Sequence, residues 1–389
     1  MRPGDLERVE SGEGIESLLD EQGFFNRPLL WNPVKELKAA GGRNVIIGVF
    51  MPSAAFDSAA QCTFRIKKAD IVLQETKIVE APNQGGMRAK PVMLMAVDTS
   101  PHGNDSYTFA INVTTAGTTT GPIHVQGWVL KTDDAQIVYN DTAVSIAAGA
   151  TATVVSLATN YPAGSKVVAL AYVYANISAA AAQYLIGAGN VKLKLGTAII
   201  SSNQFNLGFY SSVHPLHVSL VWGGTVASST QTWSVEITNG SSVAINAYAI
   251  IVTFTVADVA FLDTDSVALT NGSQVTVGNL STRLSGDVVA IGMATAENTS
   301  TANVTAFYAN DVVLQVNDLA TGQSANLVDW YLEQTGWHGR SGILPLFRYD
   351  TGVTNPSYQI KMTARANGIN GEAKIVAFPG QVQFLSSID

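Results

Sequence analysis

The sequence is poor in charge and in cysteine. Charged residues make up only 13% of the 389 residues, and the net charge is −8, whereas an ordinary soluble chain is roughly one quarter charged. No basic run could follow a phosphate backbone, so we expect no nucleic-acid partner. Cys62 is the single cysteine, which excludes an intrachain disulfide and a thiolate metal cluster.

Long hydrophobic runs are missing as well. No stretch approaches the roughly 18 consecutive apolar residues that a membrane span requires, although apolar residues reach 47% of the composition. The N-terminal sequence MRPGDLER lacks the apolar core of a signal peptide. We therefore expect neither membrane insertion nor export through a cleaved leader.

The chain does contain an internal repeat. Residues 166–171 match residues 287–292 at an offset of 287 − 166 = 121. Three further matches follow in the same order at nearly the same spacing: 144–149 with 267–272, 190–193 with 311–314, and 106–111 with 230–235. Four ordered matches indicate a duplicated unit of about 122 residues.

Each unit has the pattern of an antiparallel β-sandwich. Short runs rich in β-branched and aromatic residues alternate with clusters of Gly, Asn, Ser and Thr. Ala148-Gly149 and Asn271-Gly272 stand between two such runs, where glycine can supply the positive φ of a hairpin turn. The predicted fold class is all-β, with tandem antiparallel β-sandwiches of immunoglobulin-like or jelly-roll type. The pattern leaves both forms open, and we favour the immunoglobulin-like one.

A third copy of the unit is present in two pieces. Residues 44–49 and 69–73 resemble the last strands of a unit, and residues 357–362 and 378–384 resemble earlier ones. We therefore predict a split sandwich, closed within one chain rather than between subunits. The predicted domains are a split β-sandwich of residues 44–84 plus 340–389 and two continuous ones, 85–205 and 206–339.

The first 43 residues differ from the rest. Ile15, Leu18 and Leu19 lie on one side of a charged helical pattern, and Asn32-Pro33 is typical of a second helix start. The sequence predicts an N-terminal helical arm over 1–43 that docks into an assembly. Helices that cover the end of a sandwich are the alternative.

No set of side chains has the spacing of a catalytic or metal site. His214 and His217 form the closest histidine pair, but Pro215 excludes the helical geometry of zinc peptidases. Asp133-Asp134 and the pair Asp263 and Asp265 could bind calcium, but each is more often a solvated turn. We predict no catalytic, cofactor-binding or metal-binding residues, and no enzyme activity.

Asn-X-Ser/Thr sequons are frequent between residues 104 and 305. Most fall at predicted strand ends or turns, where a sugar would be tolerated. Turn-forming composition is the alternative explanation. The candidate glycosylation sites are Asn104, Asn112, Asn140, Asn176, Asn239, Asn271, Asn279, Asn298 and Asn303.

Weakly charged tandem sandwiches with a charged N-terminal arm resemble the virion surface proteins of icosahedral viruses, of capsid, decoration or turret type. The resemblance implies a structural protein at the virion surface that binds copies of itself, as a homo-oligomer, and other capsid proteins, without cofactors. One alternative is an extracellular filament or S-layer subunit. Another is a carbohydrate-binding module, for which an exposed platform would need the tryptophans Trp128, Trp222, Trp233, Trp330 and Trp337. Trp128 and Trp233 stand mid-strand in apolar runs, which favours a place in the core instead.

Overall fold

The computed structural model describes most of the chain beyond residue 31. The described residues are 32–38, 43–52, 60–76, 79–81, 92–102, 105–113, 123–177, 188–206, 216–240, 243–298, 308–317, 330–332, 344–364, 367–380 and 382–385. Their regular elements are β-strands, and all the pairings between those strands are antiparallel. The predicted all-β class is confirmed.

The first sandwich contains the first eight strands and the last one. Its strands are β1 (Asn32–Lys38), β2 (Arg43–Pro52), β3 (Ala60–Lys68), β4 (Ile71–Glu75), β5 (Val79–Ala81), β6 (Val92–Asp98), β7 (Ser106–Val113), β8 (Ile123–Thr132) and β27 (Val382–Leu385). One sheet has the order β1-β7-β3-β4, with β5 beside β3, and the other has the order β27-β8-β2-β6.

The second sandwich is continuous in sequence. Its strands are β9 (Gln136–Tyr139), β10 (Val144–Ile146), β11 (Thr151–Thr159), β12 (Lys166–Ile177), β13 (Ala188–Leu195), β14 (Ala198–Asn206), β15 (Leu216–Thr225), β16 (Gln231–Thr238) and β17 (Ile245–Val256). One sheet is β11-β16-β13-β14, and the other is β10-β17-β12-β15 with β9 also on β17.

The third sandwich repeats this arrangement. Its strands are β18 (Ala260–Asp263), β19 (Val267–Ala268), β20 (Gln274–Ser281), β21 (Ser285–Asn298), β22 (Tyr308–Val316), β23 (Trp330–Leu332), β24 (Leu344–Thr354), β25 (Ser357–Ala364) and β26 (Ile369–Pro379). Its sheets are β20-β25-β22-β23 and β18-β26-β21-β24, with β19 also on β26.

The strand order identifies each sandwich as a jelly roll. In the second sandwich the chain passes between the two sheets in the order β9/β10, β11, β12, β13/β14, β15, β16, β17. This is the double Greek-key order of a jelly roll, and the other two sandwiches follow it. Our preference for the immunoglobulin-like form is therefore wrong. Alternation shows which face of a strand is buried, but not which strand is its neighbour.

Apolar side chains between the two sheets form the core of each sandwich. Phe50 of β2 and Phe64 of β3 approach from opposite sheets of the first sandwich, with ring centroids 4.4 Å apart. Trp233 is fully buried in the second. Burying a large apolar side chain contributes roughly 1.5–3 kcal/mol, so these cores account for the predicted independence from disulfides. Gly149 and Gly272 have φ of 71° and 73°, so the predicted positive φ is confirmed. The predicted hairpins are wrong, because β10 and β11 lie in different sheets of their sandwich, and so do β19 and β20.

The predicted domain boundaries need correction. The strands group as 32–132 plus 382–385, 136–256 and 260–379, instead of 44–84 plus 340–389, 85–205 and 206–339. The repeat itself is confirmed, but the predicted first residue of each unit is wrong. A repeat has the same period wherever the count begins, so the period does not show where a unit starts. Strands β25 and β26 consequently belong to the third sandwich, and only β27 joins the first.

The helical arm over 1–43 is also wrong where the structure describes it. Residues 32–38, which were predicted to begin a second helix, form β1 and pair with β7. Pairing with β7 outweighs the local helix signal of Asn32-Pro33, because β1 forms the edge strand of a sheet that packs on the other sheet of the sandwich. The first predicted helix, around Ile15 to Leu19, lies outside the described residues.

Candidate functional site: the junction of three sandwiches

The last strand of the chain completes the first sandwich. Val382 to Leu385 pair with Leu130 to Gly127 of β8. In the other two sandwiches the strands that correspond to β8 are β17 and β26. A short strand pairs with each of them in the same way: β9 pairs with β17, and β18 pairs with β26. Each of these short strands directly follows the preceding sandwich in sequence. The three jelly rolls therefore form a topological ring that β27 closes, and the predicted closure within the chain holds for β27 and β2, which lie in one sheet.

Buried aromatic side chains make contacts between the sandwiches. Trp128 of β8 stacks on Phe347 of β24, with ring centroids 4.1 Å apart. Phe254 of β17 meets Phe378 of β26 edge-on at 5.6 Å. All four side chains are at most 2% exposed. The sheets that contain β8, β17 and β26, which we call the inner sheets, thus bury both faces, one inside their own sandwich and one against a neighbour.

The second and third sandwiches approach so closely that one position requires glycine. A Cβ atom on Gly223 of β15 would lie 2.5 Å from Val376 and 2.6 Å from Val259, well inside van der Waals contact. A hydrogen bond also joins the two sandwiches, since the Asn203 amide donates to Thr295 Oγ1 at 3.0 Å.

Hydrogen bonds hold the connection between the first and second sandwiches. The Asp134 carboxylate accepts from the backbone N–H of Thr255 at 2.9 Å and from its hydroxyl at 2.6 Å. The Arg43 guanidinium donates to the Ala135 carbonyl at 3.1 Å. Burial raises the pKa of Tyr161, whose hydroxyl donates to the Thr253 carbonyl, to about 12. Of the Asp133-Asp134 pair, Asp134 therefore has a structural role, since both of its carboxylate oxygens accept hydrogen bonds.

A cavity of about 290 Å³ lies where the three inner sheets end. Residues 130–133, 254–257 and 378–380 line it, so each sandwich contributes the end of its last long strand. The floor is apolar, from Leu130, Phe254 and Phe378, while Lys131 and Asp133 stand exposed at the rim. This lining has no paired acid and base, and in the described part of the chain no group of three or more His, Cys, Asp or Glu could hold a metal.

A partly buried cluster of titratable groups lies in the first sandwich. Lys68 bridges Asp98 at 2.9 Å and Asp105 at 2.8 Å, and the Tyr107 hydroxyl donates to Asp98 at 2.8 Å. Burial opposes the charge on Lys68, but its hydrogen bonds to Asp105 and Asp98 prevail and raise the Lys68 pKa. The Lys68 ammonium in turn lowers the Asp105 pKa. The cluster ties the turn after β6 to the hairpin of β3 and β4, which is a structural role.

The sequons differ widely in accessibility. Asn271 and Asn279 are exposed, so a sugar could be accommodated there. Asn239 is fully buried, and its amide nitrogen donates to three backbone carbonyls, which leaves no room for a sugar in this fold. Asn140 also uses its amide group in backbone hydrogen bonds. Asn112, Asn176 and Asn298 lie within β7, β12 and β21, while Asn104 and Asn303 lie outside the described residues.

The remaining predicted candidates are structural. His217 is buried, and its Nδ1 lies 2.6 Å from the Tyr172 hydroxyl, while His214 is outside the described residues. Asp263 pairs with Lys374 across strands. Trp128 and Trp233 are buried in different sandwiches, as predicted for core residues, so they form no exposed platform for a sugar. No helix of the described residues is long and apolar enough to span a bilayer.

Sequence reasoning missed the residues that join the sandwiches. Phe347, Phe254 and Phe378 stand in ordinary apolar strand runs, and no local pattern distinguishes them from core residues. A signal was nevertheless present for the inner sheets: 288–294 and 373–379 are almost continuously apolar, as in strands buried on both faces.

No protein-family model matches the chain, and no curated protein matches it. Solved structures with some likeness include a protein from an archaeal virus described by a triple jelly roll fold and a turret assembly. It is 10% identical, with 96% of this chain and 93% of that chain covered and a TM-score of 0.21. PNGF-II is 6% identical, with 87% and 98% covered and a TM-score of 0.30. The VP2 subviral particle protein of infectious bursal disease virus is 8% identical, with 87% and 65% covered and a TM-score of 0.22. TM-scores this low carry no weight for function, which has to be argued from the molecule's own geometry.

Proposed function

We propose that the protein is a structural, non-enzymatic subunit of a virion, as part of a capsid or of its surface projection. The observation that supports this most is the ring of three jelly rolls closed by β27. Jelly rolls are common building blocks of viral capsids. Here one chain supplies three of them in a fixed mutual arrangement, which otherwise would require a trimer of separate subunits.

The rigidity and the low charge of the subunit both favour assembly into a lattice. Three contacts keep the sandwiches from moving independently. They are the stacking of Trp128 on Phe347, the edge-on contact of Phe254 with Phe378, and the close approach at Gly223. A rigid unit loses little conformational entropy when it joins a lattice, so modest contacts suffice for assembly. The low charge density reduces electrostatic repulsion between neighbouring copies.

Two exposed isoleucines, in corresponding hairpins of the first and second sandwiches, provide candidate contacts between subunits. Ile71 at the start of β4 is 65% exposed, and Ile199 in the same hairpin of the second sandwich is 55% exposed. Both belong to edge strands of the sheet that packs on the inner sheet within its sandwich. Exposed apolar side chains on edge strands favour association with another protein surface.

The test is the state of assembly of the purified chain. We expect electron microscopy and analytical ultracentrifugation to show oligomers of defined symmetry, and the variant Ile71→Lys with Ile199→Lys to lose them. Thr197→Lys, at an exposed turn beside Ile199, is the matched control and should still assemble. A wild-type chain that stays monomeric up to high concentration and when mixed with purified capsid shells would refute the proposal.

A further inference from the structure

Two hairpin turns expose apolar side chains to solvent. The first tip, residues 67–72, joins β3 to β4, and the second tip, residues 194–199, joins β13 to β14. Ile71 and Val72 in the first tip are 65% and 42% exposed, and Ile199 in the second tip is 55% exposed. Exposed apolar side chains that lie together favour contact with another protein surface.

The two tips occupy the same place in their jelly rolls. Val72 pairs with Lys67 in the first tip, and Ile199 pairs with Lys194 in the second. The register of each hairpin shifts immediately before its lysine. One subunit therefore carries an apolar patch at corresponding positions of two sandwiches, so it can contact two other molecules at once.

The first tip has a net negative charge. Asp70 in its turn is exposed. Lys68 bridges both Asp98 and Asp105, so these three groups together carry one negative charge. The partly exposed Lys67 offsets one of the two negative charges, and the other remains.

The second tip has a net positive charge. Lys192 and Lys194 share the Glu236 carboxylate at 3.2 and 3.0 Å, and two lysines against one glutamate leave one positive charge beside Ile199. The hydrogen bond from Lys194 lowers the pKa of Glu236, so this balance holds at neutral pH. The two tips are complementary in charge, whereas contact between two like tips would bring like charges together.

We propose that the first tip of one copy binds the second tip of another copy, with Ile71 and Val72 packed against Ile199. The contact removes exposed apolar side chains from water and places opposite charges side by side. It joins two different patches, so each copy binds two neighbours and the copies form a ring or a filament. This inference rests on the proposed function and names the contact through which the subunits join.

A mixture of two single variants of the full chain tests the contact. Ile71→Lys disrupts the first tip alone, and Ile199→Lys disrupts the second tip alone. In analytical ultracentrifugation we expect each variant by itself to be monomeric at concentrations at which the wild type assembles, because every contact then places a lysine against an apolar patch. An equimolar mixture should form a dimer of the two variants and nothing larger, since only one combination has two intact tips. Tyr139→Lys, at a 42% exposed position of β9, is the matched control and should assemble like the wild type.

Disulfide formation locates the contact without a change of charge. In a Cys62→Ala background, chains with Ile71→Cys should form a mixed disulfide with chains that carry Ile199→Cys, because the two positions face each other across the contact. Chains of one kind should not link to each other. Links from 71 to 71 or from 199 to 199 would overturn the proposal, since they would show two-fold contacts between like tips.

The outcomes separate this contact from the proposed function. If the wild type assembles and the single variants still assemble, or if their mixture stays monomeric, the contact is overturned and the proposed function stands. A wild type that is monomeric by itself also overturns the contact. It overturns the proposed function only if it fails to bind purified capsid shells as well.

Discussion

Removal of the closing strand should open the ring at the first sandwich. Deletion of residues 382–389 eliminates four residue pairs between β27 and β8. At a net 0.5–1.5 kcal/mol for each backbone hydrogen bond, and about one bond per pair, the loss is roughly 2–6 kcal/mol. That is a large part of the roughly 5–15 kcal/mol that stabilises a domain. The first sandwich should therefore unfold at lower urea concentration than the other two.

Hydrogen exchange followed by mass spectrometry locates the effect. In the deletion variant, those amides of residues 127–130 in β8 that donate to β27 should lose protection, because their partners are gone, while the alternate amides that donate to β2 stay protected. Residues 250–253 of β17, which β9 covers in the same way, are the internal control and should stay protected. A shorter deletion, of residues 386–389, keeps β27 and should behave like the intact chain. Equal protection of β8 in all three proteins would refute the idea that β27 closes the ring.

Three further predictions concern single positions. Gly223→Val should destabilise the packing of the second sandwich on the third by about 1–3 kcal/mol, since its side chain has no space; an unchanged midpoint in urea would contradict this. The Asp105 pKa is lowered by Lys68 from its ordinary 3.8, so this carboxylate adds stability above that pH and loses it on further acidification. Asp105→Asn should therefore flatten the dependence of the melting temperature on pH in the acid range, and a parallel curve would argue against the ion pair. In a glycosylating host Asn271 should carry sugar and Asn239 should not, because only Asn271 is exposed; peptide mapping decides this, and a sugar on Asn239 would show that this region folds differently.

The sequence by itself determined the class of the protein and its repeat. Alternating runs and Gly-containing turns such as Ala148-Gly149 are local, so they indicated strands and the turns between them directly. Matches such as 166–171 with 287–292 do correspond to equivalent strands, β12 and β21. The sequence also gave the core positions of Trp128 and Trp233, because both stand in apolar strand runs.

The tertiary structure alone decided the pairing of the strands. Whether a sandwich is a jelly roll depends on contacts between strands far apart in sequence, such as β9 with β17, and alternation carries no record of them. The Asn32-Pro33 signal for a helix lost to the pairing of β1 with β7. Closure of the ring by β27, with Trp128 against Phe347, joins the two ends of the chain. Apolar runs show that such strands are buried, but only the fold shows what buries them.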